Sequence, residues 1–207
     1  MIAVDILITT IGRPSLEQAI LSGLHQTYAA CRVVVAPDGP VPAAEAMAER
    51  IGRASLCRDK EILVARPPRA FGAGNPLKHW WINSGRASPW IRTLDDDDWL
   101  PPDAIAQMMS VVTPNTVLVM APVMTLQLLP GRPLRYRVTP GVLVHDRCGM
   151  GSAMFRTDAA QGLPLPHARG ADFRFLRDLS QRGECLRVEA PLYWYRGYRT
   201  DAQRGYG

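Results

Sequence analysis

Apolar and polar positions alternate in blocks along this chain, and the blocks have two periods. Ile2 to Ile8 is nearly continuous in branched apolar residues, the pattern of a strand buried on both faces. A short loop, Thr9 to Pro14, leads to Leu16, Ala19, Ile20 and Leu24 at helical spacing. Ser15, with Gln18 three residues on, has the spacing of a capping box. The unit then recurs. Arg32 to Ala36 predicts a second strand, Ala43 to Ile51 a helix, and Glu61 to Ala65 a third strand. Pro76 to Ser84 predicts a helix, Trp90 to Leu94 a fourth strand, and Pro102 to Val112 a helix with proline near its first turn. Strands alternating with helices predict an α/β fold with a mostly parallel sheet covered on both faces, and ligands of such sheets bind at the carboxyl ends of the strands. Thr9, Thr10, Arg13, Asp38 and Asp95 each follow a predicted strand, so the pattern points them toward one crevice.

Beyond Thr116 the pattern changes. Val117 to Ala121 predicts a further strand. Val123 to Leu129 and Leu134 to Val138, around Pro130-Gly131-Arg132-Pro133, predict a hairpin. Ala171 to Gln181 predicts a helix ended by Gly183, and Leu186 to Tyr195 one strand rich in aromatics. The polar tail from Arg199 is expected to be loose.

Composition narrows the class. An apolar fraction of 47% with 21% charged residues fits a globular chain with a real core and excludes dominant disorder. The net charge is +5, carried almost wholly by arginine, with Lys60 and Lys78 the only lysines. Arginine favours planar contacts with phosphate or carboxylate, which suits a nucleotide diphosphate, a phospholipid-linked acceptor or a membrane surface. No helix-turn-helix, zinc-finger or RNA-binding signature accompanies the charge, so nucleic acid is not an expected partner. Cys31, Cys57, Cys148 and Cys185 form no C-x-x-C pair and read as reduced thiols of a cytoplasmic protein. No stretch is long enough to cross a bilayer, which leaves peripheral membrane contact as the most to expect.

The sharpest feature is Asp95-Asp96-Asp97-Asp98, directly after an apolar strand. Adjacent carboxylates at a strand end repel one another with little screening. A hard divalent cation relieves this, taking its other ligands from phosphate and water. The local alternative is a solvated acidic loop capping the next helix.

These motifs, in this order, resemble a family 2 glycosyltransferase over roughly Val4 to Arg196. Ile6-Leu-Ile-Thr-Thr-Ile-Gly-Arg-Pro-Ser15 resembles the family's first strand and nucleotide loop, and Gln26-Thr27-Tyr28 the end of its first helix. Leu94 to Leu100, followed by Pro101-Pro102-Asp103, resembles its D-x-D segment. Gly170-Ala171-Asp172 opens what resembles the segment carrying its catalytic base. The resemblance implies a GT-A fold: a Rossmann-like sheet flanked by helices, with a small antiparallel hairpin in the second half. It implies a single domain over 1–207, with residues 1–115 binding the nucleotide sugar and residues 116–207 facing the acceptor.

The activity so implied is transfer of a sugar from a nucleotide-diphosphate donor, a UDP-sugar by expectation, to an acceptor hydroxyl with inversion. Mn2+ or Mg2+ would assist, the acceptor would be a glycan or lipid-linked, and the setting would be glycan or polysaccharide synthesis. Residue by residue, Thr9, Ile11 and Arg13 fall where the family's first loop meets the nucleotide, and Asp38 where the base is recognised. Lys78 falls near the donor phosphates, and Asp96 at the ribose or donor sugar. Asp97 would be the principal metal ligand, with Asp95 or Asp98 assisting. Asp172 would be the general base that takes the acceptor's proton; its local alternative is a helix N-cap.

The chain also departs from the pattern. Pro37-Asp38 lacks one of the usual two carboxylates, Ala171 stands where an acidic residue often precedes the base, and Tyr195-Arg196 is not followed by histidine. His145-Asp146 offers a further metal candidate or a plain strand-end histidine. A nucleotidyltransferase would want a richer glycine loop than Thr9–Pro14, and a non-catalytic sugar-nucleotide or glycan-binding module is the remaining alternative.

Overall fold

A computed structural model of the protein describes residues 1–54, 60–127, 135–144 and 148–197. The chain opens β1 (Val4–Thr10), α1 (Leu16–Leu24), β2 (Cys31–Pro37), α2 (Pro42–Ala54), β3 (Ile62–Val64), α3 (Gly74–Ile82) and β4 (Trp90–Asp95). It continues α4 (Ala104–Ser110), β5 (Thr116–Met120), β6 (Val123–Gln127), β7 (Arg135–Thr139), β8 (Ala153–Arg156), α5 (Thr157–Ala160), α6 (Ala171–Ser180), β9 (Glu184–Arg187) and β10 (Tyr193–Arg196).

Seven strands form the central sheet in the order β3-β2-β1-β4-β8-β5-β9. β3, β2, β1 and β4 pair in parallel, β8 is antiparallel to both β4 and β5, and β9 is parallel to β5. All seven residues of β1 are buried, as its unbroken apolar run requires. Its side chains alternate between two cores. Val4, Ile6 and Ile8 meet α1, α2 and α4 through Ile20, Ala48 and Ile105, while Leu7 meets α3 and α6 through Leu77, Trp81 and Phe175. The parallel sheet covered on both faces is therefore as the strand–helix alternation predicts.

Three local details differ from the sequence reading. Ser15 has helical angles and makes no capping bond, so there is no capping box. Gln18 instead accepts from the Arg196 guanidinium at 2.9 Å. The run Leu186–Tyr195 is not one strand but parts of two, β9 in the main sheet and β10 in a small sheet ordered β10-β6-β7. Pro191 lies between them and lacks the N–H a ladder needs. The hairpin of β6 and β7 is present, and β10 adds to it in parallel. β8 was not foreseen, because a four-residue apolar run carries too little periodicity to separate strand from helix.

The Gln26-Thr27-Tyr28 segment has a structural reason. Gln26 is 2% exposed; its amide donates to Ser22 and Pro101 carbonyls and accepts the Ile105 N–H. The end of α1 is thereby fixed to the start of α4, just beyond the aspartate run.

Candidate active site

The carboxyl ends of β1, β2 and β4 and the first turn of α3 open into one cleft of about 780 Å³. Among the residues singled out from sequence, Thr9, Thr10, Ile11, Arg13, Asp38, Lys78, Asp95, Asp96, Asp97 and Asp172 line it. Parallel strands explain the convergence, since β1 and β4 run in register with Thr9 beside Asp95. Asp98 is the exception and does not line the cleft.

The four aspartates alternate in burial through a turn that follows β4, closed by the Asp98 N–H on the Asp95 carbonyl at 3.1 Å. Asp95 and Asp97 are partly exposed, whereas Asp96 and Asp98 are 3% and 1% exposed. Both buried carboxylates are hydrogen-bonded, as burial demands. Asp96 accepts from Thr10 Oγ1 and from Arg13 Nη1, each at 2.6 Å. Asp98 accepts from Tyr193 Oη and from the Arg196 backbone N–H, each at 2.7 Å. Tyr193 Oη in turn accepts the Asp95 N–H at 3.1 Å. The aspartate turn is thus fastened to β10, some 98 residues later.

Arg92, fully buried on β4, completes the support. It donates to the Ala153 and Leu192 carbonyls at 2.7 and 3.1 Å, and its guanidinium lies 5.3 Å from the Tyr193 ring centre. Burial pulls its pKa down to about 10.

Charge in the cleft is arranged in opposing pairs. Lys78 reaches Asp95 at 2.8 Å, and Arg13 lies 3.4 Å from Asp97. Burial opposes the Lys78 charge, but Asp95 outweighs it and holds the ammonium above its ordinary pKa. Burial likewise opposes ionisation of Asp95, yet Lys78 and Arg13 hold that carboxyl below the usual range. Burial and the neighbouring Asp95 push Asp97 upward, against Arg13. Asp98 is pushed well up by burial and by Asp95 and Asp97, against its hydrogen bonds to Tyr193 and Arg196.

Asp172, in the first turn of α6, also lines the cleft. The helix is capped by Gly170 at φ 70° with no side-chain capping bond, so Asp172 is not the cap. Its oxygens accept instead from Asn75 Nδ2 at 2.7 Å and from the Met150 N–H at 3.1 Å. Asp38 accepts the Phe71 N–H at 2.5 Å through one oxygen.

Sequence reasoning missed Asn75, His167 and Arg169, which also line the cleft; Tyr195, a candidate for stacking on a sugar ring or for filling core, lines it too. Asn75 was hidden because Gly74-Asn75-Pro76 reads as a turn. Arg169 sits three residues before Asp172 and was visible only by that proximity. His145 and Asp146 lie outside the described residues. No group of three or more His, Cys, Asp or Glu side chains suited to a metal occurs among the described residues. No helix among them is long and apolar enough to cross a membrane.

The family model described as "Glycosyl transferase family 2" matches residues 5–161, about three quarters of the chain. The chain belongs to this family. No curated protein matches it. Solved structures with the same GT-A fold include residues 1–349 of S. aureus TarS in complex with UDP-GlcNAc: 10% identity, TM-score 0.71, 96% of this chain and 59% of that one. The mannosyltransferase PcManGT of Pyrobaculum calidifontis, with GDP-Man and Mn2+, shares 10% identity at TM-score 0.71 over 96% of this chain and 58% of its own. Glucosyl-3-phosphoglycerate synthase of Mycobacterium tuberculosis, with Mn2+, UDP and glucosyl-3-phosphoglycerate, gives 12% identity and TM-score 0.62 over 99% and 75%. This family 2 chain thus spans about three fifths of the first two and three quarters of the third.

Proposed function

We propose that the chain transfers a sugar from a nucleotide-diphosphate donor, a UDP-sugar, to an acceptor hydroxyl with inversion, in glycan or polysaccharide synthesis. The observation that carries this reading is the meeting in one cleft of outward-facing Asp95 and Asp97 with Asp172, whose partners are remote in sequence. Family membership supports it, as do the donor complexes of the fold's relatives.

Thr9, Ile11 and Arg13 meet the nucleotide. Asp38 keeps one oxygen clear of Phe71 to accept a base N–H, such as that of uracil. Asp96 faces the ribose with the lone pairs that Thr10 and Arg13 leave. The open first turn of α3 and Lys78 serve the diphosphate.

Two hard carboxylates in the cleft, with Asp97 raised by burial and by its like-charged neighbour Asp95, fit Mn2+ or Mg2+. Asp97 would hold the ion with Asp95 beside it, and a bound ion would supply neutralising charge for the diphosphate. Asp98 anchors the turn.

Asp172 accepts the acceptor's hydroxyl proton. As that oxygen bonds to the anomeric carbon, the bond from carbon to diphosphate breaks and its electron pair leaves with the nucleotide. The arginine-rich surface favours a phosphate-bearing acceptor, a glycan or lipid-linked, met at a membrane surface.

The test is a thermal-shift screen of UDP, GDP, dTDP and their sugars with and without Mn2+. One nucleotide should raise the melting temperature only with metal. The shift should vanish in Asp97→Ala or with EDTA and persist in Asp172→Ala, which should lose turnover. No shift from any nucleotide would overturn the reading.

A further inference from the structure

Asn75 belongs to neither the donor contacts nor the base as assigned above, yet its side chain joins the two. It is the second residue of α3, two positions past the N-cap where asparagine is favoured. Here the cap position is Ala73 and no side chain caps the helix. The Asn75 amide reaches across 97 residues of sequence to Asp172 Oδ1 at 2.7 Å instead. A carboxylate accepts only, so this bond fixes the amide's orientation with Nδ2 as donor.

The second oxygen of Asp172 is held by the Met150 N–H at 3.1 Å. The carboxylate therefore has a donor on each oxygen, which sets its plane and leaves a lone pair on each for an incoming proton. A neutral amide can hold a base without competing for its charge. A cation in the same place would lower its basicity. The nearest cation on the helix, Lys78, lies three residues on and so on the same face; it is bonded to Asp95 and interacts with the Asp172 charge only through space. One face of α3 thus touches both the metal-side carboxylate and Asp172, through two different side chains.

We infer that Asn75 is a positioning residue for glycosyl transfer, orienting the Asp172 carboxylate toward the acceptor hydroxyl from the same helix that meets the donor phosphates. This rests on the proposed function, and the experiment separates the two. The full chain and the variants Asn75→Ala and Asn75→Asp are compared for UDP affinity by calorimetry with Mn2+. They are also compared for release of UDP from UDP-glucose and UDP-GlcNAc, with water or added glycans as acceptor.

Asn75→Asp matches the parent in size but offers no donor and sets a second carboxylate against Asp172. In both variants kcat should fall, by about ten- to a hundredfold for alanine, the range for a misplaced catalytic group. The aspartate variant should fall further and peak at higher pH, because paired carboxylates hold a proton between them. UDP affinity should stay within about twofold of the parent, since the amide is committed to Asp172. A parent-like kcat in either variant overturns the inference. So does equal loss of UDP affinity and kcat, which would make Asn75 a structural part of the helix start. A parent that binds UDP but turns over no donor overturns the transferase reading, and this inference with it.

Discussion

Replacing Tyr193 with phenylalanine removes one oxygen and tests how the aspartate turn is held. Tyr193 is 2% exposed, and its hydroxyl donates to Asp98 at 2.7 Å while accepting the Asp95 N–H at 3.1 Å. The ring itself packs in the core and over Arg92, and phenylalanine keeps that packing. The loss is therefore confined to two buried hydrogen bonds. A bond to an ionisable group contributes about 1.5–3 kcal/mol and a neutral one about 0.5–1.5 kcal/mol. Asp98 keeps the Arg196 N–H, which limits the first contribution. The expected cost is about 2–4 kcal/mol, or roughly 4–16 °C in melting temperature for a chain of this size.

The functional consequence is more telling than the stability loss. Asp95 and Asp97 lie on the turn that Tyr193 secures, so releasing it should loosen two cleft carboxylates together. Urea denaturation of Tyr193→Phe gives the first quantity, and the Mn2+-dependent thermal shift by UDP gives the second. A folded variant should show a smaller metal-dependent shift than the parent at equal UDP. A stability change below about 0.5 kcal/mol, the ordinary scatter of surface substitutions, with an undiminished metal-dependent shift, would refute the idea that β10 organises the metal side of the cleft.

Other substitutions probe separate parts of the argument. Asp98→Asn tests the raised carboxyl. A carboxyl whose folded pKa exceeds its unfolded value of about 3.9 stabilises the fold most in acid and loses that contribution as pH rises. The variant should therefore gain ground on the parent from pH 4 to pH 8 in urea denaturation, and a flat or opposite trend would count against it. Lys78→Gln tests the opposite sign in metal-free buffer. The pair's contribution is full between the unfolded values, about pH 4 to 10, and is lost as pH falls through the depressed Asp95 value or rises through the raised Lys78 value. The stability gap between parent and variant at pH 7 should accordingly shrink below pH 4.

Asp5→Ala strands the Trp81 indole N–H and the Ser88 N–H, bonded to Asp5 at 3.0 Å each. It should cost about 2–5 kcal/mol, and a loss under 1 kcal/mol would show that the network relaxes. Gly141→Ala places a Cβ against the Ala121 backbone carbonyl, which cannot turn aside. A variant as stable as the parent would mean that the segment before residue 145 is free to shift.

Much of the first half was legible because its signals are local. β1 and β4 announce themselves as continuous apolar runs, and parallel strands bring their carboxyl ends together whatever the intervening loops do. Asp38, Asp95 and Thr9 reach one cleft for that reason alone. The second half was less legible because its order depends on partners far away. β8 is four residues long and gains its identity from the strands on either side. β9 and β10 look continuous in sequence, but they part at Pro191 and two different sheets offer them edges. Ser15 and Gln18 had the letters of a capping box, but Gln18 is drawn to Arg196, a competitor no window around the helix start contains.

The aspartate run shows most clearly what sequence leaves open and what geometry decides. Four identical letters carry no register, and any of them suits a metal by type. Beyond Asp95 the chain turns, the Asp98 N–H closing on the Asp95 carbonyl, and the turn separates odd positions from even ones. The even pair is buried and must satisfy its charge within the protein, Asp96 on Thr10 and Arg13, Asp98 on Tyr193 and Arg196. The odd pair faces the cleft, where Lys78 and Arg13 balance part of its charge. A run of four is then not a redundant set of ligands. Two members fix the turn to β1 and β10, and that fixation lets the other two stand close together at a strand end despite their repulsion. Deleting an inward aspartate should thus cost stability first and metal response second, while deleting an outward one should do the reverse.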